Sequence, residues 1–164
     1  MTTTIPQTPY TADLGSREPL STMRDVTDRI RTLSSGWTSQ QFERSYAPGK
    51  WTARQIFVHL AQTEIALGYR ARMALTATRY EAQAFSQDQW MEIEGEAASG
   101  QAGLAALIAM NAVNRALFES LTPAQRSTPF SHPEYGALTV DWLIHQMAGH
   151  LLHHAAQLEQ IAGQ

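Results

Sequence analysis

The sequence predicts an all-α fold, a single four-helix bundle, and three observations carry that prediction. Four segments place apolar residues at helical spacing, bounded by recognisable start or stop signals. No alternating run of useful length competes as a strand. The length, 164 residues, suits one domain and lets roughly two-thirds of the unfolded chain's surface be buried.

Taken in order, residues 1–19 carry Pro6, Pro9 and Pro19 among threonines and read as an extended arm, leaving 20–164 as the bundle domain. The first helix is expected over 21–35, with Met23, Val26, Ile30 and Leu33 on one face and Gly36 as its stop. The second, over 52–78, has the best-specified start. Thr52 and Gln55 make a T-x-x-Q capping box, and Trp51 can staple onto Ile56. The third spans 101–121 and halts before Pro123. The fourth runs over 139–163, with Asp141 favourable in its first turn. Between the second and third lies a long loop, 79–100, holding Phe85, Trp90 and Met91, and loops of that length usually serve function or wrap the domain. Large apolar side chains there are expected to border the functional pocket, or else to cap the core or form a dimer contact. Residues 131–136 form a turn-rich stretch before the fourth helix.

Composition excludes several classes of function. Net charge is −3 and the twelve basic residues are scattered, so no surface for nucleic acid is expected. No cysteine is present, which removes disulfides, a cysteine nucleophile and thiolate metal ligands. The opening residues lack a basic and an apolar region, and no apolar run reaches the 18 or so residues of a membrane span, so a cytoplasmic protein without membrane contact is the expectation.

Four of the six histidines crowd the fourth helix, and helical phase sorts them. With Leu143 at 0° and about 100° per residue, the core face centres near 60°. His154 falls near 20° and His150 near 340°, on that face and its margin. His145 and His153 fall about 140° from the centre and point away. Two histidines at i and i+4 can reach one ion. A third ligand must come from elsewhere, and His59 is the only histidine of the second helix, at the edge of its apolar stripe. An isolated H-x-x-x-H on a helix is usually just two polar residues, but two unpaired imidazoles facing a core are costly. His132, His145 and His153 read as surface histidines.

Glu64 lies near the centre of the second helix's apolar face, where an unpaired carboxylate is disfavoured. One expectation is that it pairs with an arginine such as Arg70 or Arg72, or lies where the stripe meets water. Otherwise it accepts from a histidine N–H or acts as a general base. Trp51, Trp90 and Trp142 read as core or lid aromatics.

The run APGKWTARQIFVHL at 47–60, FSQDQWM at 85–91 and HLLHH at 150–154, with Gln157 and Ile161 beyond it, resemble the DinB-like (DinB/YfiT) superfamily over nearly all of 10–163. The resemblance implies a four-helix bundle in up-down-down-up order, a homodimer, and a three-histidine metal site at His59, His150 and His154. Members carry an acidic residue three to five positions past the first histidine; here position 62 is Gln, and Glu64 is the acid available for a catalytic role.

Three histidines leave a coordination position open, as in catalytic sites. Neutral imidazoles suit Zn, Ni, Cu and Fe alike, and a divalent ion, zinc or nickel, is the expected occupant. The expected function is that of a metal-dependent enzyme acting on a small-molecule substrate. It is either an S-transferase using a low-molecular-weight thiol or a hydrolase. The rival is a non-catalytic metal- or ligand-binding bundle of the stress response.

Overall fold

In the computed structural model, residues 6–94 and 97–164 are described. Residues 1–5 of the expected arm and 95 and 96 of the expected loop lie outside them. The elements, in chain order, are α1 (Thr11–Leu14), α2 (Pro19–Leu33), α3 (Ser39–Phe42), α4 (Ala53–Thr76), α5 (Gln87–Glu94), α6 (Gly100–Glu119), α7 (Pro123–Arg126), β1 (Pro129–His132), β2 (Gly136–Thr139) and α8 (Val140–Ala162). The long helices α2, α4, α6 and α8 are the four expected from periodicity.

Their starts are set by local chemistry. At α4 the Thr52 hydroxyl accepts from Gln55 N–H while the Gln55 side chain accepts from Thr52 N–H, closing the capping box. At α8, Thr139 caps Trp142 N–H, and Asp141 lies in the first turn, ion-paired to Arg126.

The bundle order follows from which residues share each end. One apolar cluster joins Met23, Leu67, Ala71, Ala74, Phe118 and Leu143 to Ala148; the other joins Val26, Ile30, Ala53 to Leu60, Leu107 and Leu151 to Ile161. Passing from the second cluster to the first, residue numbers rise in α4 and α6 and fall in α2 and α8. So α4 and α6 run one way and α2 and α8 the other, which in chain order is up-down-down-up. Each of α2 and α4 packs on both α6 and α8. The parallel pair α4–α6 comes close because Gly103 carries no side chain: a Cβ there would lie 2.8 Å from Val58 N.

Three expectations need correction. The arm is not wholly extended: it holds the single turn α1, which packs on α8, and α2 begins two residues before the predicted start. Pro19 sits in the first turn, where its missing N–H is not needed, with Glu18 as the cap. The long connection is not simply a loop, because 87–94 form α5. The stretch after α7 forms a two-stranded antiparallel hairpin, Phe130 opposite Leu138 and His132 opposite Gly136, four residues a side. Strands this short gain their order from packing on the bundle rather than from their own pattern.

Candidate metal centre

Between the two apolar clusters lies a belt of buried polar residues: His59, Gln62, Thr63 and Glu64 on α4, Asn111 and Asn114 on α6, His150 and His154 on α8. Helical phase splits the α4 members between two seams.

On the seam with α8, His59, His150 and His154 are 2%, 4% and 6% exposed, and one nitrogen from each lies within 4.8 Å of the others. His59 Nε2 stands 2.9 Å from His150 Nε2. Two ligand nitrogens about 2.1 Å from one ion lie about 3 to 3.4 Å apart, so this spacing is near that of a shared cation. Burial pushes His59 down to about 3, His154 to about 4 and His150 well below the usual histidine value; the neighbouring imidazoles press His59 and His150 further down. All three are neutral at pH 7 and offer lone pairs.

The rings are held in place from behind. Gln157 Oε1 lies 2.7 Å from His154 Nδ1; a carbonyl only accepts, so the proton is on Nδ1 and Nε2 carries the lone pair. Thr63 Oγ1 donates to the His59 carbonyl. Trp51, the residue before the α4 cap, lays its ring 4.8 Å from His59 and stacks at 18° against His154. Tyr10 from the arm meets His150 at 5.0 Å, and the arm reaches it because position 149 is glycine: a Cβ there would lie 2.6 Å from Tyr10 O. Trp142 Nε1 ties the arm down by donating to Gln7 O. On α4, His59 Nδ1 and both amide atoms of Gln62 are buried without a partner among the described residues. Three neutral imidazoles converging within 4.8 Å are what a divalent cation fits, since each can turn one lone pair to the same point.

The other seam is closed. Glu64 lies neither on an arginine nor on a histidine: its carboxylate accepts from Asn111 Nδ2 at 2.8 Å and Asn114 Nδ2 at 2.7 Å. Asn111 Oδ1 in turn accepts from Arg115, and Asn114 Oδ1 from Arg72, so two outer cations reach the buried acid through amides. Burial raises Glu64 to about 6 against the opposing pull of both asparagines and Arg115.

Two cavities open at the histidines. One, of about 200 Å³, has His59 and His150 in its lining together with Arg70, His132 and Phe85. The other, of about 330 Å³, is bordered by Trp51, His154 and Lys50. Tyr10 and Gln87 line both. The 79–100 connection therefore does border the site, through Phe85, which packs on Trp90 with ring centroids 4.6 Å apart. His145 is held at Asp141 O, and His153 is within 3.4 Å of Asp13; neither joins the cluster.

His132 is not a surface histidine. The hairpin carries it inward to 5% exposure against Tyr135. The signal was the alternation Phe130–His132 ahead of a Pro-Glu-Tyr-Gly turn. Arg70, expected from the sequence as a partner for Glu64, instead shares a helix face with His59 at i+11 and lines the same cavity.

The family profile of the DinB superfamily matches residues 22–158. A proposed metal-dependent hydrolase of Oceanobacillus iheyensis is 24% identical over 144 residues, 88% of this chain and 84% of that protein. Among solved structures, YfiT from Bacillus subtilis, a proposed metal-dependent hydrolase with an unusual four-helix bundle topology, superposes with a TM-score of 0.79 at 23% identity, covering 88% of this chain and 84% of that one. The mycothiol-dependent maleylpyruvate isomerase superposes at 0.70 with 17% identity, over 93% of this chain and 63% of that one. At these identities the structural likeness speaks for the fold.

Proposed function

This chain belongs to the DinB superfamily, and from that premise we propose that it is a metal-dependent enzyme acting on a small molecule, with His59, His150 and His154 as ligands of one divalent ion, zinc or nickel. The observation that carries the reading is the convergence of three neutral, buried imidazoles on a point that two cavities reach. A bound ion there supplies Lewis-acid chemistry, polarising a substrate or activating a nucleophile at its remaining positions.

The protein's own part is binding and orientation. Gln157 holds the His154 tautomer, and Trp51 and Tyr10 shield the imidazoles from water on two sides. Hydrolysis is the first reading, in keeping with the activity proposed for the relatives. The second cavity, beside His154, favours transfer to a low-molecular-weight thiol, because a two-reactant reaction needs a second place to bind. Glu64, expected as a catalytic acid or base, has both oxygens engaged on the far seam and is absent from the lining of either cavity, which supports a role in joining α4 to α6.

The test is elemental analysis of protein purified without a metal-affinity tag, followed by a screen of ester and amide hydrolysis against thiol conjugation. Absence of any bound ion in protein isolated from metal-replete cells would overturn the reading. We further propose a cytoplasmic homodimer with no role for nucleic acid. Ile65, Tyr69 and Val113 stand exposed on the α4–α6 face, and no helix among the described residues is long and apolar enough to cross a membrane. Sedimentation checks the assembly.

A further inference from the structure

The cavity over His59 and His150 has a cation in its wall that the protein itself does not neutralise. His59, Thr63, Leu67 and Arg70 all line it, at positions i, i+4, i+8 and i+11 of α4. At about 1.5 Å per residue, Arg70 starts about 16 Å up the helix from His59, and its side chain leans back toward the N-terminus and so toward the histidines. Arg70 is only 7% exposed. Its Nη2 donates to Gln83 O at 2.6 Å, and the Phe85 ring lies 5.5 Å from its guanidinium carbon. These two contacts fix the plane of the group and leave Nε and Nη1 without a protein acceptor among the described residues. No carboxylate there stands within ion-pair distance of it; Glu134, which lines the same cavity, acts only as a more distant charge.

The open donors face the cavity, where water or a ligand can supply the acceptor. Beside Arg70 in the same wall is His132, 5% exposed. Its Nδ1 accepts from Glu134 N–H, so the proton of the neutral ring sits on Nε2, again with no protein acceptor among the described residues. Burial and the Arg70 charge both lower His132, keeping it a neutral donor rather than a second cation.

From this juxtaposition we infer that Arg70 and His132 form an oxyanion subsite that holds a carboxylate of the substrate, several bonds from the group that meets the histidines. The inference rests on the histidine cluster being the reacting centre, and it adds the class of substrate: a small organic acid. A planar guanidinium matches a carboxylate through two donors. A cavity of about 200 Å³ holds on the order of seven waters at about 30 Å³ each, which suits a short acid and not a large anion. Phe85 and Trp142 supply apolar wall for its carbon chain.

The experiment is titration of chelator-treated protein with hexanoate, hexanamide and inorganic phosphate, followed by ligand-observed NMR and thermal shift. Hexanoate is expected to bind, and hexanamide to bind about tenfold or more weakly, the difference that charge-assisted hydrogen bonds make. Arg70→Gln is expected to lose that preference. Arg70→Lys, which keeps the charge and is less prone to unfold, should retain only part of it, and His132→Gln should weaken hexanoate severalfold. Lys50→Gln, beside the other cavity, should change nothing. Equal binding of acid and amide by the wild-type protein overturns the proposal whatever the variants do. Phosphate binding tighter than hexanoate overturns the carboxylate assignment. The titration is independent of the metal test: acid preference in a protein that carries no ion as isolated sinks the metalloenzyme reading alone, and an ion in a protein without acid preference sinks this one alone.

Discussion

Helix α4 carries two buried polar seams with opposite states of completion. Toward α6, Glu64 has an acceptor role for each of its oxygens, and the chain of hydrogen bonds runs out through Asn111 and Asn114 to Arg115 and Arg72. Toward α8, three imidazoles crowd together, His59 Nδ1 has no partner, and two cavities adjoin. A saturated buried network has nothing left to offer a ligand and serves to fix two helices in register. An unsaturated one keeps its donors only at a cost, which binding something offsets. The contrast separates structure from chemistry better than charge does, since the one buried acid of the belt falls on the structural side.

The largest expected break in that contrast is metal loss. His59→Ala or His154→Ala should fall from one ion per chain to none by native mass spectrometry, whereas Glu64→Gln should keep its ion. Full occupancy in His154→Ala would refute the ligand set. Next, in chelated protein, Glu64→Leu leaves Asn111 Nδ2 buried without an acceptor and Asn114 Nδ2 with only the Glu64 carbonyl, and should cost about 2 kcal/mol or more in urea unfolding. His150→Leu in the same chelated protein should cost less, about 1 kcal/mol, because it removes only the neutral partner of His59 Nε2 rather than an acceptor shared by two buried amides.

The pH dependence of chelated protein gives a smaller effect whose sign differs between the seams. The three histidines titrate below 6.5 in the fold, so the unfolded chain binds protons first as pH drops, and stability is lost from 6.5 downward, the His154 share ending near 4 and the His59 share near 3. Glu64 is raised to about 6, so it takes its proton in the fold before the unfolded chain does and opposes that loss between about 6 and 4.5. The net expectation is a falling Tm from pH 6.5 to 4, steeper in Glu64→Gln, which lacks the opposing group. A flat profile would count against neutral, buried imidazoles. Last, His145→Ala should retain the ion and lose under about 1 kcal/mol, since its ring only meets Asp141 at the helix start.

What could be read in the sequence is local. Thr52, Gln55 and Trp51 announce the start of α4 through bonds between near neighbours, and the 100° step alone turned His150 and His154 inward and His145 and His153 away. The same step told that Glu64 was buried, and its partners were half-legible too: Asn111 and Asn114 interrupt the apolar face between Leu107 and Phe118. Pairing them with Glu64 required knowing that α4 and α6 lie side by side and run parallel. Periodicity cannot say this, because each helix satisfies its own backbone and is indifferent to its neighbour's direction.

The sequence by itself determined the four helices, their inward faces and the three histidines that could meet. Tertiary structure alone decided what surrounds them. Tyr10 comes to His150 because the arm crosses α8 at Gly149, and His132 is buried because a hairpin of four-residue strands folds over the bundle. Arg70 finds its open wall because Gln83 and Phe85, in the first part of the connection after α4, fold back onto it. Helical phase is set by bonds four residues apart, whereas these contacts join residues at least 13 positions apart, whose pairing depends on how the chain packs.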